Sequence, residues 1–168
     1  GFYAVSNSAN AGWHDIGASS TAYSIVGTGD FFNDGIEDIL YRSVASAGDT
    51  GIYQIKNGAL QGWHDIGATS TAYSVVGVGD FNGDGTDDVL WRQQFSGQMD
   101  VWVLRDGNWA GSFDPGPMPA GWTVSGIGDF NHDGVDDIMW LNAATGEVKE
   151  WIVTPPNAAP SASDFVIV

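Results

Sequence analysis

Val78-Gly79-Asp80-Phe81-Asn82-Gly83-Asp84-Gly85-Thr86-Asp87-Asp88-Val89-Leu90-Trp91 is a segment whose variants occur three times in the chain, about 50 residues apart. In each copy Gly-Asp-Phe opens a nine-residue acidic loop, and an apolar run follows the loop. We call these loops 1 (30–38), 2 (80–88) and 3 (129–137), and we count positions 1 to 9 within each. A repeat period of this length is typical of propellers and solenoids.

The loops concentrate negative charge. Each contains four Asp or Glu side chains and no Lys or Arg, so the loops hold twelve of the 21 acidic residues. Like charges at this density oppose folding unless a cation compensates them. We therefore predict a hard divalent cation, Ca²⁺, as the cofactor.

The spacing of oxygen-bearing side chains fits a calcium loop, because Ca²⁺ takes roughly six to eight oxygen ligands. Such side chains stand at positions 1, 5 and 9 of every loop and also at position 3 of loops 2 and 3. Gly at position 6 permits a tight turn, and the carbonyl of position 7 adds an oxygen. The predicted ligands are Asp30, Asp34, Ile36 and Asp38 in loop 1, Asp80, Asn82, Asp84, Thr86 and Asp88 in loop 2, and Asp129, Asn131, Asp133, Val135 and Asp137 in loop 3.

Two other interpretations compete with the metal site. Asn, Asp and Gly favour turns on their own account, so the loops could be Asx-rich turns with solvated carboxylates. An EF-hand needs an acidic residue at position 12, where this chain has Tyr41, Trp91 and Trp140. Three loops in register favour the metal site over a turn without metal.

The residues between the loops predict β-structure. One unit contains four apolar or β-branched runs, at 73–80, 88–92, 100–105 and, more weakly, 109–113. Asn57-Gly58 and Asp106-Gly107 are hairpin turn signals. We expect an all-β fold of propeller blades with four antiparallel strands each, about three and a half in this chain. The predicted divisions are a partial blade at 1–20, repeats near 21–70, 71–120 and 121–153, and a Pro-rich tail with a terminal hydrophobic segment at 154–168.

The segment 78–91 and its two counterparts resemble the FG-GAP or VCBS repeats of integrin α-subunit propellers and of many secreted bacterial proteins. The resemblance implies that the acidic loop between the first two strands of a blade binds calcium. Loop 1 departs from the pattern, because Phe32 stands where loops 2 and 3 have Asn82 and Asn131. We expect the loop 1 site to be weaker for lack of this oxygen.

Composition excludes several classes of protein. A formal charge of −16 with only five Lys and Arg disfavours nucleic-acid binding, since phosphate contacts need a basic surface. The absence of Cys removes disulfides and thiol catalysis. No apolar run is long enough to predict a membrane-spanning helix. These features agree with an extracellular setting.

The two ends of the sequence carry separate expectations. The chain starts inside what aligns as the third strand of a blade, so we expect upstream sequence that completes it. Asp164-Phe165-Val166-Ile167-Val168 resembles the C-terminal signal of bacterial type I secretion substrates, and it also fits the last strand of a blade. In a calcium-poor cytoplasm such a chain would stay largely unfolded, and calcium outside the cell would drive its folding.

Catalytic motifs are lacking, and we predict that the protein is not an enzyme. His14-Asp15 and His64-Asp65 belong to the repeat, and neighbours in a strand point to opposite faces. Five tryptophans align with aromatic residues of other repeats and fit blade packing. Trp13, Trp63 and Trp109 lie on weaker strands and are candidates for stacking on sugar rings.

The sequence thus predicts a non-catalytic calcium-binding module of a secreted bacterial protein, with roles in calcium-dependent folding and in adhesion to a glycan or an extracellular protein. The alternative is an accessory domain of a secreted hydrolase whose catalytic part lies upstream. We also expect the open faces of the fragment to favour self-association.

Overall fold

The structure is a computed structural model that describes residues 2–6, 9–44, 48–118, 120–154 and 165–167, with side chains from Asp15 to Thr154 within these ranges. The described residues form fourteen β-strands. They are β1 (Phe2–Ser6), β2 (Ala9–His14), β3 (Tyr23–Gly29), β4 (Asp38–Ser43), β5 (Asp49–Lys56), β6 (Ala59–Ala68), β7 (Tyr73–Gly79), β8 (Asp88–Gln93), β9 (Met99–Arg105), β10 (Asn108–Phe113), β11 (Trp122–Gly128), β12 (Asp137–Asn142), β13 (Val148–Trp151) and β14 (Phe165–Ile167).

The strands form three four-stranded antiparallel sheets in chain order, which we call blade 1 (β3 to β6), blade 2 (β7 to β10) and blade 3 (β11 to β14). Strands β1 and β2 form a separate antiparallel pair. Within the described ranges no strand pairing joins two sheets, so ring closure is not seen. The prediction of an all-β protein built from four-stranded blades is confirmed.

The acidic loops connect the first two strands of each blade. Gly29 pairs with Asp38, Gly79 with Asp88 and Gly128 with Asp137, so each loop closes an antiparallel pair at its end. Each pair also contains one register shift, between Ile25 and Gly27 in blade 1 and at the same place in blades 2 and 3. Such bulges increase the local twist of a strand pair.

The hydrophobic core lies between blades. One buried cluster joins Phe31, Leu40, Ile52 and Ile66 of blade 1 to Val89, Trp91 and Leu104 of blade 2. A second cluster joins blade 2 to blade 3 and contains Trp140 and Trp151. A single four-stranded sheet cannot bury both faces alone, so stacking against the next sheet supplies the core.

Two arginines connect consecutive blades. The guanidinium of Arg42 in β4 donates to the carbonyls of Thr69, Ser70 and Tyr73 at 2.6–3.2 Å and lies 4.8 Å from the ring centroid of Trp91. Arg92 in β8 donates to the carbonyl of Trp122 and lies 6.0 Å from the ring of Trp140. These bonds satisfy backbone carbonyls at the start of each following blade.

Most predicted strands agree with the observed bounds, including the weak fourth strand, which is β10. Strand β14 pairs with β13 through Phe165, Val166 and Ile167, as expected if the terminal segment completes a blade. Residues 155–164 of the predicted Pro-rich tail lie outside the described residues. In the part of the chain that is described, no helix has the length and apolar character needed to cross a bilayer.

Candidate metal-binding loops

The carboxylate at position 1 organises the turn of each loop. In loop 2, Asp80 Oδ1 accepts hydrogen bonds from the backbone N–H groups of Gly83 and Asp84 at 2.7 and 3.1 Å, and Oδ2 accepts one from Gly85 at 2.7 Å. Asp30 in loop 1 and Asp129 in loop 3 accept the equivalent bonds from positions 5 and 6. Gly85 has φ of 84°, so the turn uses a backbone conformation that glycine adopts without strain.

The carboxylate at position 9 is fixed from the opposite side. One oxygen of Asp38, Asp88 and Asp137 accepts a backbone N–H from the third strand of its blade, at 2.8, 2.9 and 3.0 Å. All three side chains are buried. The second oxygen of Asp88 accepts a hydrogen bond from Nδ2 of Asn82 at 3.1 Å, and the second oxygen of Asp137 accepts one from the N–H of Phe130 at 3.1 Å.

Burial makes these carboxylates costly to ionise. Burial raises the pKa of Asp88 to about 8, with Asp80 and Asp84 adding repulsion. Burial also raises the pKa of Asp38 to about 6 and raises the pKa of Asp137. The Oδ2 atom of Asp38 has no donor in hydrogen-bond geometry, although the nearby N–H of Phe31 lowers the pKa of this carboxyl. A buried carboxylate oxygen without a partner is a position at which a cation would be favourable.

The donor set fits calcium. In the described residues, no three His, Asp or Glu side chains are grouped closely enough to hold a metal ion by themselves. An ion would therefore also need the amide oxygens of Asn82 and Asn131 and the backbone carbonyls of position 7. Carboxylate, amide and carbonyl oxygens are the ligands that Ca²⁺ takes. The metal ligand set remains a prediction.

Phe32 has a different role from the asparagines at the same position. Its ring is half-buried and meets the ring of His64 edge-on, with 4.8 Å between centroids. It also covers Gly107 in the turn between β9 and β10, whose N–H donates to the carbonyl of Phe31 at 2.8 Å. The missing oxygen of loop 1 is thus replaced by a hydrophobic contact between blades 1 and 2.

The aspartate at position 8 of loops 2 and 3 forms hydrogen bonds with the preceding loop. Oδ2 of Asp87 accepts the N–H of Asp30 at 2.8 Å, and the N–H of Asp87 donates to the carbonyl of Asp30 at 3.1 Å. Asp136 makes the same two bonds with Asp80, at 2.9 and 2.8 Å. We call each pair the interloop bonds. Burial raises the pKa of Asp87 to about 6 and raises the pKa of Asp136.

The sequence analysis did not assign the residues at position 8. A signal was present, because position 8 is acidic in all three loops while the ligand pattern leaves it without a role. The pattern within one loop cannot indicate the partner, since that partner lies 56 or 57 residues earlier in the chain.

The candidate sugar-stacking tryptophans lie in different environments. Trp109 is 53% exposed. Trp63 is half-buried and meets Tyr23 and Tyr53 edge-on at 5.1 and 5.2 Å, beside a pocket of about 210 Å³ that Ser19 and Ser20 also line. The side chain of Trp13 lies outside the described ones.

His64 and Asp65 do not act on each other. The His64 ring faces Phe32, and Oδ1 of Asp65 accepts the N–H of Gly67 at 2.8 Å. Gly67 has φ of 111°, so Asp65 closes a turn that glycine permits. The side chain of His14 is not among the described ones. The arrangement at His64 is structural.

A family model described as FG-GAP-like repeat matches the chain twice, at residues 30–91 and 80–140. The two matches together span loop 1 through β12. The chain belongs to the FG-GAP-like repeat family. Each FG-GAP-like match runs from one acidic loop to the strand after the next loop, so it includes the contact between two blades. Neither the curated proteins nor the solved structures gave a match to the chain.

Proposed function

We propose that this FG-GAP-like repeat module binds calcium in its three loops and uses the ion to complete its fold. The observation that carries the proposal is the buried carboxylate at position 9. Asp38, Asp88 and Asp137 are all buried, burial raises the pKa of each carboxyl, and one oxygen of Asp38 has no hydrogen-bond donor. Calcium would compensate the charge that folding forces into these loops.

A calcium titration of the metal-free protein tests the proposal. Ligand that binds only the native state stabilises it by about 2.7 kcal/mol per site at a hundredfold excess over Kd. We expect calcium to raise the melting temperature clearly, and magnesium at equal concentration to raise it less, because Mg²⁺ demands a stricter octahedral geometry. A melting temperature that does not change with calcium would contradict the proposal.

Asp88→Asn and Asp100→Asn form a matched pair for this titration. Both remove one carboxylate of blade 2 whose pKa burial raises, but only Asp88 lies in an acidic loop. Asp100 bonds the indole N–H of Trp102 at 3.1 Å. We expect Asp88→Asn to remove much of the calcium-induced stabilisation and Asp100→Asn to retain it.

We further propose that the module is secreted, is not catalytic and binds a glycan or an extracellular protein. The exposed Trp109 supports the glycan hypothesis, because a flat aromatic face suits stacking on sugar rings. A glycan array with the unmodified protein and with Trp109→Ala tests it. We expect the unmodified protein to bind a glycan and the variant to lose that binding, whereas equal binding by both would exclude Trp109 as a sugar-stacking residue.

The alternative, an accessory domain of a secreted hydrolase, predicts hydrolase sequence upstream of Gly1 in the gene.

A further inference from the structure

The interloop bonds hold the residue with which each predicted calcium site begins. The side chain of Asp30 organises loop 1 by accepting the N–H groups of Asp34 and Gly35. Its own N–H and carbonyl are both bonded to Asp87 of the following loop. Because both main-chain polar groups of Asp30 are bonded to Asp87, Asp87 also fixes the position of the backbone from which the Asp30 carboxylate extends. Asp136 holds Asp80 in the same way.

Close packing leaves the bonded groups little freedom. A Cβ atom on Gly29 would lie 2.6 Å from Val78 Cγ1 and 2.7 Å from Asp87 Oδ2. A Cβ atom on Gly79 would lie 2.6 Å from Asp136 Oδ2 and 2.7 Å from Ile127 Cγ2. The position 8 carboxylate thus packs directly against the glycine that precedes the earlier loop, Asp87 against Gly29 and Asp136 against Gly79, which restricts movement of one loop relative to the other.

Position 8 stands between two predicted ligands of its own loop. Thr86 precedes Asp87 and would offer its carbonyl, and Asp88 follows it and would offer its carboxylate. Calcium in loop 2 would fix both neighbours and therefore the direction of Asp87. If calcium orders loop 2, the interloop bonds would therefore also hold Asp30 of loop 1 in a fixed position.

We propose that Asp87 and Asp136 are positioning residues for the calcium site of the preceding loop, so that the loops bind calcium as a coupled row. The inference rests on the proposed calcium binding and extends it. Asp87 acts on loop 1, and Asp136 acts on loop 2. Loop 3 is the last of the row among the described residues, and Glu37 at position 8 of loop 1 is exposed. Coupling between sites is reciprocal, so binding at loop 1 also favours binding at loop 2.

The test is a calcium titration of the full 168-residue chain that is monitored by NMR of the backbone amides. The N–H groups of Gly35, Gly85 and Gly134 each donate to the position 1 carboxylate of their own loop, so they report the three loops separately. We expect Asp87→Ala to weaken binding at loop 1 by about 5- to 150-fold, the usual range of such coupling. Asp136→Ala should weaken loop 2, and in Asp87→Ala loop 3, which has no bond to Asp87, should keep its midpoint.

Two further variants separate positioning from charge. Asp87→Asn keeps an oxygen that can accept the N–H of Asp30, so it should retain most of the loop 1 affinity that Asp87→Ala loses. Glu37→Ala removes the same charge at the same loop position without breaking an interloop bond, and it should change the loop midpoints little. If Asp87→Asn and Asp87→Ala weaken loop 1 equally, charge and not the hydrogen bond is responsible, and the proposal is wrong.

Hydrogen exchange of the calcium-free protein provides a readout without metal. The Asp30 amide should be protected in the unmodified chain and should lose protection in Asp87→Ala, while amides in blade 3 keep theirs. Affinity lost mainly at loop 2 in Asp87→Ala would make Asp87 a residue of its own site and would overturn the proposal. Equal losses at all three loops would also overturn it. If the amide signals of the three glycines in the unmodified chain do not change when calcium is added, the proposed function itself is refuted.

Discussion

At the scale of single residues, Gly29 and Gly79 stand where the next blade leaves no room for a methyl group. An added Cβ would lie within 2.6–2.7 Å of atoms of the following blade. We expect Gly29→Ala and Gly79→Ala each to lower the free energy of unfolding by about 1–3 kcal/mol, the usual cost of overpacking. Urea denaturation in excess calcium measures this.

Gly128→Ala is the control for these substitutions. Gly128 occupies the same position in blade 3, where the nearest atoms to a Cβ are ring carbons of Phe130 at 3.8 and 3.9 Å, an ordinary contact. We expect no loss, or a small gain of about 0.4–1 kcal/mol from the less flexible unfolded chain. Equal destabilisation by all three substitutions would mean that the contact between blades is not the cause.

Phe32 packs against neighbouring residues at the loop position where loops 2 and 3 have a proposed ligand. We expect Phe32→Asn to raise the calcium affinity of loop 1, because it would supply the oxygen that we propose for Asn82 and Asn131 in the other loops. The metal-free variant should be less stable because the contacts with His64 and Gly107 are lost. The loss should stay below the roughly 3–5 kcal/mol of a fully buried phenylalanine.

Calorimetric calcium titration and urea denaturation measure the two effects of Phe32→Asn separately. The reverse substitution, Asn131→Phe in loop 3, is the matched control, because Asn131 is exposed and its change disturbs little packing. It should lower the affinity of loop 3. Unchanged affinities in both variants would show that position 3 does not contribute a ligand.

At the scale of elements, the junction of each loop with the second strand should make stability depend on pH. Burial raises the pKa of Asp88, at the start of β8, from 3.8 to about 8. A folded-state pKa above the unfolded value contributes stability that is complete below about pH 4 and is lost as the pH rises through about 8. The calcium-free protein should therefore melt at a higher temperature at pH 5.5 than at pH 8.

Excess calcium should reverse this trend, because the ligands must be deprotonated to bind the ion. Thermal melts of calcium-stripped and calcium-saturated protein across this pH range measure both effects. Asp88→Asn should flatten the calcium-free dependence, although the raised pKa values of Asp38 and Asp87 will leave part of it. An Asp88→Asn variant with the full dependence would assign the effect to other groups.

At the scale of the whole molecule, blade 1 has an apolar face without a described neighbour. Ile25 is 60% exposed, whereas Val75 and Val124, its counterparts in blades 2 and 3, pack against the buried clusters. The face borders a cavity of about 630 Å³ that Ile16, Ile36 and Leu60 also line. Exposed apolar faces of this kind favour association.

We predict that the isolated chain self-associates through this face. Ile25→Asp should shift light-scattering masses toward the monomer and reduce binding of a hydrophobic dye. Phe95→Asp is the control, because Phe95 is 86% exposed but does not line the cavity. Monomeric behaviour of the unmodified chain at high concentration, without dye binding, would contradict this prediction.

The sequence by itself determined the elements of this protein. Alternating β-branched and aromatic runs, the Asp-Gly and Asn-Gly turns and the 50-residue period predicted the four-stranded blades, because strand patterns and turn chemistry are local properties of the chain. The same local pattern gave the candidate ligands at positions 1, 3, 5, 7 and 9, since all of them lie within nine consecutive residues.

Only the tertiary structure decided what joins one blade to the next. The interloop bonds of Asp87 and Asp136, the arginine contacts and the packing of Phe32 on Gly107 all connect residues from different repeats. Acidic residues at positions 8 and 9 look alike in the sequence, yet Asp87 bonds to loop 1 and Asp88 to its own blade. The difference arises because side-chain partners across an interface depend on how two sheets stack, and a single repeat does not contain that information.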